Sequence, residues 1–199
     1  MNFNLTRLLI DFPVLVICLT VHEFSHAYVA FKMGDPTAKQ MGRLSLNPFV
    51  HLDPLGTLMI LFVRFGWAKP VPINPNNFKD FKKGIILTSL AGPISNFLLA
   101  FLGAFLAKFI YLTNNQGLIM FIQTFILINI VLGIFNLLPF PPLDGSRLFT
   151  VFLPPKYDYI NNFLERFGIL FLFGIILLFP GLIGSIIYPI VSMLLRLFL

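Results

Sequence analysis

The sequence predicts an all-α protein that crosses a membrane several times, and three features carry that prediction. Hydrophobic residues make up 57% of the 199-residue chain and charged residues only 11%, against roughly 25% charged in ordinary soluble domains. Several apolar runs approach the roughly 20 residues that a helix needs to cross a bilayer. Lys32, Lys39, Arg43, Arg64, Lys69, Lys79, Lys82 and Lys83 fall together between apolar runs, as cytoplasmic loops do under the positive-inside rule. The net charge of +6 therefore needs no nucleic acid to explain it, and no base-reading module accompanies it. No polar stretch is long enough for a soluble module. The expectation is one membrane-embedded domain over 1–199, with a core over about 5–153 and extra helices over 157–199.

The elements follow in order. Residues 5–33 form a first span stopped by Gly34-Asp35-Pro36, with a kink at Pro13 and an ion pair between Arg7 and Asp11, four residues apart. Cys18 is the single cysteine, a packing residue that rules out an internal disulfide. No small-residue cleavage site follows this run, so a cleaved signal peptide is not expected. Arg43-Leu44-Ser45-Leu46 suits a short strand. Residues 55–65 are apolar but too few to span, which suits a re-entrant or interfacial element. Pro70, Pro72 and Pro75 forbid helix across 67–77 and favour an extended edge, anchored at the membrane interface by Trp67 and Lys69. Residues 84–112 and 117–138 are the next spans, joined by a polar turn. A Pro-rich stretch, 139–147, cannot be regular helix, and two further apolar helices, 159–179 and 182–199, close the chain. That makes about five spanning helices, one short re-entrant or interfacial element and a small extended segment.

Inside the first span stands His22-Glu23-Phe24-Ser25-His26. Side chains four apart share a helix face, so both imidazoles can reach one metal ion. Glu23 is rotated by about 100° from His22, close enough to act on water at the ion without being a ligand. If Lys32 marks the membrane surface, the two histidines lie about 9 and 15 Å below it at 1.5 Å per residue, a depth that requires a water-filled cavity. Ionisable groups placed there mark function rather than chance.

A catalytic zinc takes a third protein ligand and keeps one position open. Asp11 sits toward the opposite face, and Asp35, Asp53, Asp80, Asp158 and Glu165 read as ordinary surface charges. With the basic region inside, helix 1 enters it, 84–112 leaves and 117–138 returns, which brings Asp144 to the side of His22 and His26 provided that 55–65 does not cross. Read as a residue, Asp144 is either that third ligand or the N-cap of a short helix, a role worth about 1 kcal/mol.

Together, His22-Glu23-x-x-His26, Gly92-Pro93-x-x-Asn96 and Asn136-x-x-Pro139-x-x-x-x-Asp144-Gly145 resemble the site-2 protease family of intramembrane zinc metalloproteases, in a minimal form without a PDZ or CBS domain. The resemblance runs from the first helix to about Arg147. It implies one Zn2+ per chain held by His22, His26 and Asp144, with Glu23 as general base. Asn96 and Asn136 match positions that help to bind substrate or the oxyanion; the residues alone allow them simply to bond a neighbouring helix. His51 can approach the metal or sit in an interfacial loop paired with Asp53. The resemblance further implies a zinc metalloendopeptidase cutting membrane-anchored proteins within or near their transmembrane segments. Its partners would be that protein substrate and the lipid bilayer, in a bacterial or archaeal cell membrane with the active site toward the cytoplasm. A substrate helix hides its carbonyls and must unwind first, and the extended 67–74 segment can hold it by strand addition. Two other readings stand beside this one. A zinc-binding or transport protein would show polar ligands at several depths, and a membrane-embedded hydrolase of non-peptide substrates is allowed by the residues alone.

Overall fold

Helix α1 (Leu5–Met33) carries the motif and sets the frame for everything else. The computed structural model describes residues 5–63, 66–154, 158–179 and 181–198; Lys156 and the expected Pro180 break lie outside them. α1 ends where Gly34 takes φ +112°, the left-handed conformation that lets a glycine stop a helix. A short helix α2 (Thr37–Gln40) and a ten-residue helix α3 (Pro54–Val63) follow. At about 1.5 Å per residue α3 reaches only half of a 30 Å hydrocarbon layer. Two long helices come next, α4 (Phe81–Ile110) and α5 (Gln116–Asn136). Asp80 caps the first through the Lys83 N–H, and Asn115 caps the second through the Gly117 and Leu118 N–H groups. The chain closes with α6 (Asp144–Thr150), α7 (Asp158–Leu178) and α8 (Leu182–Phe198).

Three helices among the described residues are long and apolar enough to cross a membrane: α1, α4 and α5. α7 and α8 reach that standard only when taken together as a bent pair, which makes up to four spans where the sequence suggests about five. No strand forms among the described residues. Arg43–Leu46 is bent chain, and the extended segment contributes a single antiparallel bridge, Leu52 to Ala68.

α4 packs between α1 and α5. Its small residues Ala100, Ala104 and Ala107 meet Ile122, Ile126 and Ile130 in one buried cluster. A Cβ on Gly103 would stand 3.0 Å from the Ile126 side chain, and one on Gly133 would stand 2.8 Å from the Phe97 ring. Close approach of backbones through small residues is how helices associate in lipid, where apolar burial offers little drive. Leu98, Phe101, Phe105 and Phe109 of α4 point outward, as lipid-facing side chains should.

The polar connection between α1 and α4 is tied down from within. Asp35 is buried, not a surface charge. Its carboxylate accepts from the Thr37 N–H and hydroxyl, the Asn74 N–H and the Asn77 amide. Burial alone would raise the Asp35 carboxyl, but these donors outweigh it and hold its pKa below the usual carboxylate value. His51 is buried as well, with Nε2 donating to the Ser45 carbonyl. Asp53 does not pair with it; its carboxylate instead accepts from the Gly56 N–H at the start of α3.

Candidate metal centre

His22 and His26 lie one turn apart on α1, and their Nε2 atoms approach to 3.0 Å. Asp144, the first residue of α6, brings Oδ2 to 3.2 Å from each. Among the described residues these three are the group of His, Cys, Asp and Glu able to hold a metal ion. The aspartate does not serve as a helix cap, since no cap hydrogen bond forms from its side chain or that of Leu143. Gly145 explains the sharp return: a Cβ there would lie 2.2 Å from the Leu137 carbonyl oxygen, so only glycine lets α6 turn back under the end of α5.

The far nitrogens of the two rings decide what the near ones can do. His26 Nδ1 stands 2.7 Å from the Thr88 carbonyl, which can only accept, so Nδ1 carries the proton and Nε2 presents a lone pair. His22 Nδ1 stands 2.6 Å from Asn96 Oδ1 and donates in the same sense. Asp144 Oδ2 is buried and has no hydrogen-bond partner. Three electron-rich atoms thus converge without a donor among them. A shared proton could satisfy one pair at a time, whereas a cation satisfies all three. Donors about 2.0–2.1 Å from a tetrahedral zinc lie about 3.3 Å apart, close to the separations here. The residues fit a zinc ion with two imidazoles and one carboxylate.

Gly92 of α4 backs the centre. A Cβ there would fall 2.4 Å from His26 Nε2 and 2.6 Å from His22 Nε2, so the absence of a side chain gives both rings their place. In front opens a cavity of about 240 Å³, lined by His22, His26, Asp144, Glu23, Asn136, Arg147 and residues of the 66–73 segment, with Leu172 and Phe173 of α7. Glu23 faces it, and its Oε2 accepts from the Val71 N–H at 2.9 Å.

The structure brings His22, His26, Asp144 and Glu23 to one site. Asn136 lines the cavity with its amide bonded back to the Leu132 carbonyl. Asn96 is fully buried behind His22 and is not part of the lining. His51 lies away from the cavity lining too; the Lys69 N–H bonds to its carbonyl. Trp67, expected at the membrane interface, lines the cavity and stacks edge-on to Phe173 at 6.1 Å. Nor is the extended segment a free edge. The Lys69, Val71 and Asn74 N–H groups are taken by the His51 carbonyl, Glu23 and Asp35, and Arg43 binds the Lys69 and Pro70 carbonyls. Sequence reasoning missed Thr88 and Val71 because each acts through its backbone, which leaves no residue-type signal.

Residues 111–175, which include Asn136 and Asp144, match the family described as Peptidase family M50. A Bacillus subtilis protein named as a zinc metalloprotease, YwhC, is 42% identical over 185 residues, covering 89% of this chain and 84% of that protein. A zinc metalloprotease of Methanocaldococcus jannaschii is 26% identical over 151 residues, 76% of this chain but 36% of its own length. Rip2 of Mycolicibacterium smegmatis, also named as a zinc metalloprotease, is 30% identical over 144 residues, 69% of this chain and 55% of Rip2. No solved structure matches.

Proposed function

The chain belongs to peptidase family M50, the site-2 protease family, and from that premise we propose that it is a zinc metalloendopeptidase that cuts membrane-anchored proteins within or next to their transmembrane segments. The observation that carries this reading is the convergence of three unpartnered donor atoms, within 3.0 to 3.2 Å of one another, beside a carboxylate that is not one of them. His22, His26 and Asp144 would hold the ion. Bound there, zinc supplies Lewis acidity, which lowers the pKa of a water to around 7 and polarises the scissile carbonyl.

Everything else falls to the chain's own groups. Glu23 takes a proton from the attacking water and returns it to the leaving amine. The Val71 N–H on Oε2 orients the carboxylate and leaves Oε1 without that bond. Asn136, at the cavity wall, is placed to hold the substrate backbone or the oxyanion. The cavity's apolar walls from α7 and Trp67 suit an unwound apolar segment, and the Pro-containing stretch beside them serves as its cradle. Strand addition there would have to avoid the N–H groups of Lys69, Val71 and Asn74, which are already engaged.

Glu23→Gln is the test of this reading. The variant should retain zinc, since Glu23 is not a ligand in this reading, and lose about 10²–10⁴-fold in peptide hydrolysis, the scale of general acid–base catalysis. Activity within about tenfold of the parent would remove Glu23 as the base. We further propose that the site opens toward the cytoplasm, where the basic residues of 32–83 cluster. A membrane-impermeant thiol reagent applied outside intact cells should miss Lys39→Cys and label Asn115→Cys; the reverse pattern would invert the molecule.

A further inference from the structure

Behind His22 runs a chain of buried amides that the metal centre does not itself use. Asn96 and Asn129 are both fully buried, on α4 and α5 respectively. Asn129 Nδ2 lies 2.9 Å from the Phe125 carbonyl and 3.0 Å from Cys18 Sγ. Asn129 Oδ1 lies 2.9 Å from Asn96 Nδ2, and Asn96 Oδ1 lies 2.6 Å from His22 Nδ1. The direction of this chain is fixed at its far end. Phe125 presents a backbone carbonyl, which accepts and cannot donate, so Asn129 must turn its NH2 toward it and its oxygen toward Asn96. That oxygen draws the Asn96 NH2, and the Cys18 carbonyl at 3.5 Å favours the same orientation. Asn96 is left with only its oxygen for His22.

We infer that Asn129 is a positioning residue for the metal centre: acting through Asn96, it fixes the tautomer of His22 so that the proton stays on Nδ1 and the Nε2 lone pair faces the ion. Without Asn129, the Asn96 amide can rotate by half a turn and present NH2 to His22. The ring would then accept at Nδ1 and carry its proton on Nε2, where the metal belongs. Metal-bound histidines are commonly oriented by a carboxylate or carbonyl on the other nitrogen. Here the amide pair does that work across three helices, without placing a second charge in the membrane, where an ionised group is expensive.

The inference rests on the metal-centre reading, and one experiment separates the two. Zinc affinity is measured by chelator competition on the purified full chain in detergent, and the visible spectrum is recorded with cobalt(II) in place of zinc. Asn129→Leu keeps the side-chain size and removes the polarity. At parental helicity it should lose about 10–100-fold in zinc affinity, the usual scale for such an outer partner, and its cobalt bands should change. Asn129→Asp should restore affinity to within about threefold, since burial keeps the acid neutral and lets its hydroxyl donate to Phe125 while its carbonyl accepts from Asn96. Ile130→Val, a packing change next door, should leave both readouts alone. Unchanged affinity in Asn129→Leu, or equal losses in the Leu and Asp variants, overturns the inference. Should Asn129→Leu not fold, Asn129→Asp decides: parental affinity supports the relay and a tenfold loss or more overturns it. A parent chain that binds no zinc overturns the metal centre and this inference with it; a parent that binds beside an Asn129→Leu variant that binds equally overturns the inference alone.

Discussion

The two walls of the catalytic cavity are built by different means. On one side, the ligands of α1 are set by helix packing against α4, through Gly92 and the buried carbonyl of Thr88. On the other, the extended stretch that ends at Asn74 donates to Glu23, Asp35 and the His51 carbonyl, accepts from Arg43, and packs Val71 and Ile73 against Ala27 and Ala38. The first wall can be displaced only by moving a whole helix, and close-packed interiors resist that. The second rests in larger part on hydrogen bonds, each worth about 0.5–3 kcal/mol. Metal geometry needs the rigid wall. A site that must admit a bulky polypeptide benefits from the other.

The comparison breaks most severely on the rigid side. Asp144→Asn replaces a carboxylate with an amide, a poor zinc donor, while leaving the start of α6 intact because no cap is lost. Zinc and peptidase activity should both vanish, as in His22→Ala, with helicity unchanged. Metal analysis on the purified variants checks this, and full zinc occupancy in Asp144→Asn would take away the ligand role.

On the yielding side the effect should be smaller and should fall on rate. Val71→Pro deletes the N–H that holds Glu23 Oε2. Zinc content should stay at the parental level while kcat drops about tenfold, the scale of one hydrogen bond to a charged group. KM should hardly move. A rise in KM with kcat intact would instead mean that this backbone pairs with substrate.

The smallest effect concerns the outer tether. Asp35 has a lowered pKa in the folded chain, so its contribution is complete above the unfolded value, about 3.9, and fades as pH falls below it. At neutral pH, Asp35→Asn should speed amide exchange at Asn74 by roughly tenfold, about 1.4 kcal/mol. The gap between variant and parent should close on acidification through that range. A gap that persists at low pH would show that the carboxylate charge is not what holds the tether.

Much of the catalytic set was legible because its chemistry is local. The four-residue spacing of His22 and His26 on a helix places two imidazoles on one face whatever surrounds them. Asp144 was legible only as one of two options, ligand or cap, and the choice depended on which way a chain full of prolines would aim it. Asn96 was visible as a polar residue in an apolar span that either serves the substrate or bonds a neighbouring helix; in the structure it meets His22 on α1. Asn129 carried the same signal, an amide in a membrane helix, and was passed over because no motif enclosed it.

By itself, then, the sequence determined the apolar character of the long helices, the stop after α1, and the histidine pair with its adjacent glutamate. These follow from composition and from period along one chain. Only the tertiary structure decided that Asp35 and His51 are interior and that the Val71 N–H belongs to Glu23. It also decided that Asn129 meets Cys18, more than 100 residues away, and Asn96, which reaches His22. Such outcomes depend on distances between elements and on the direction of hydrogen bonds, and neither is encoded in the identity of any single residue.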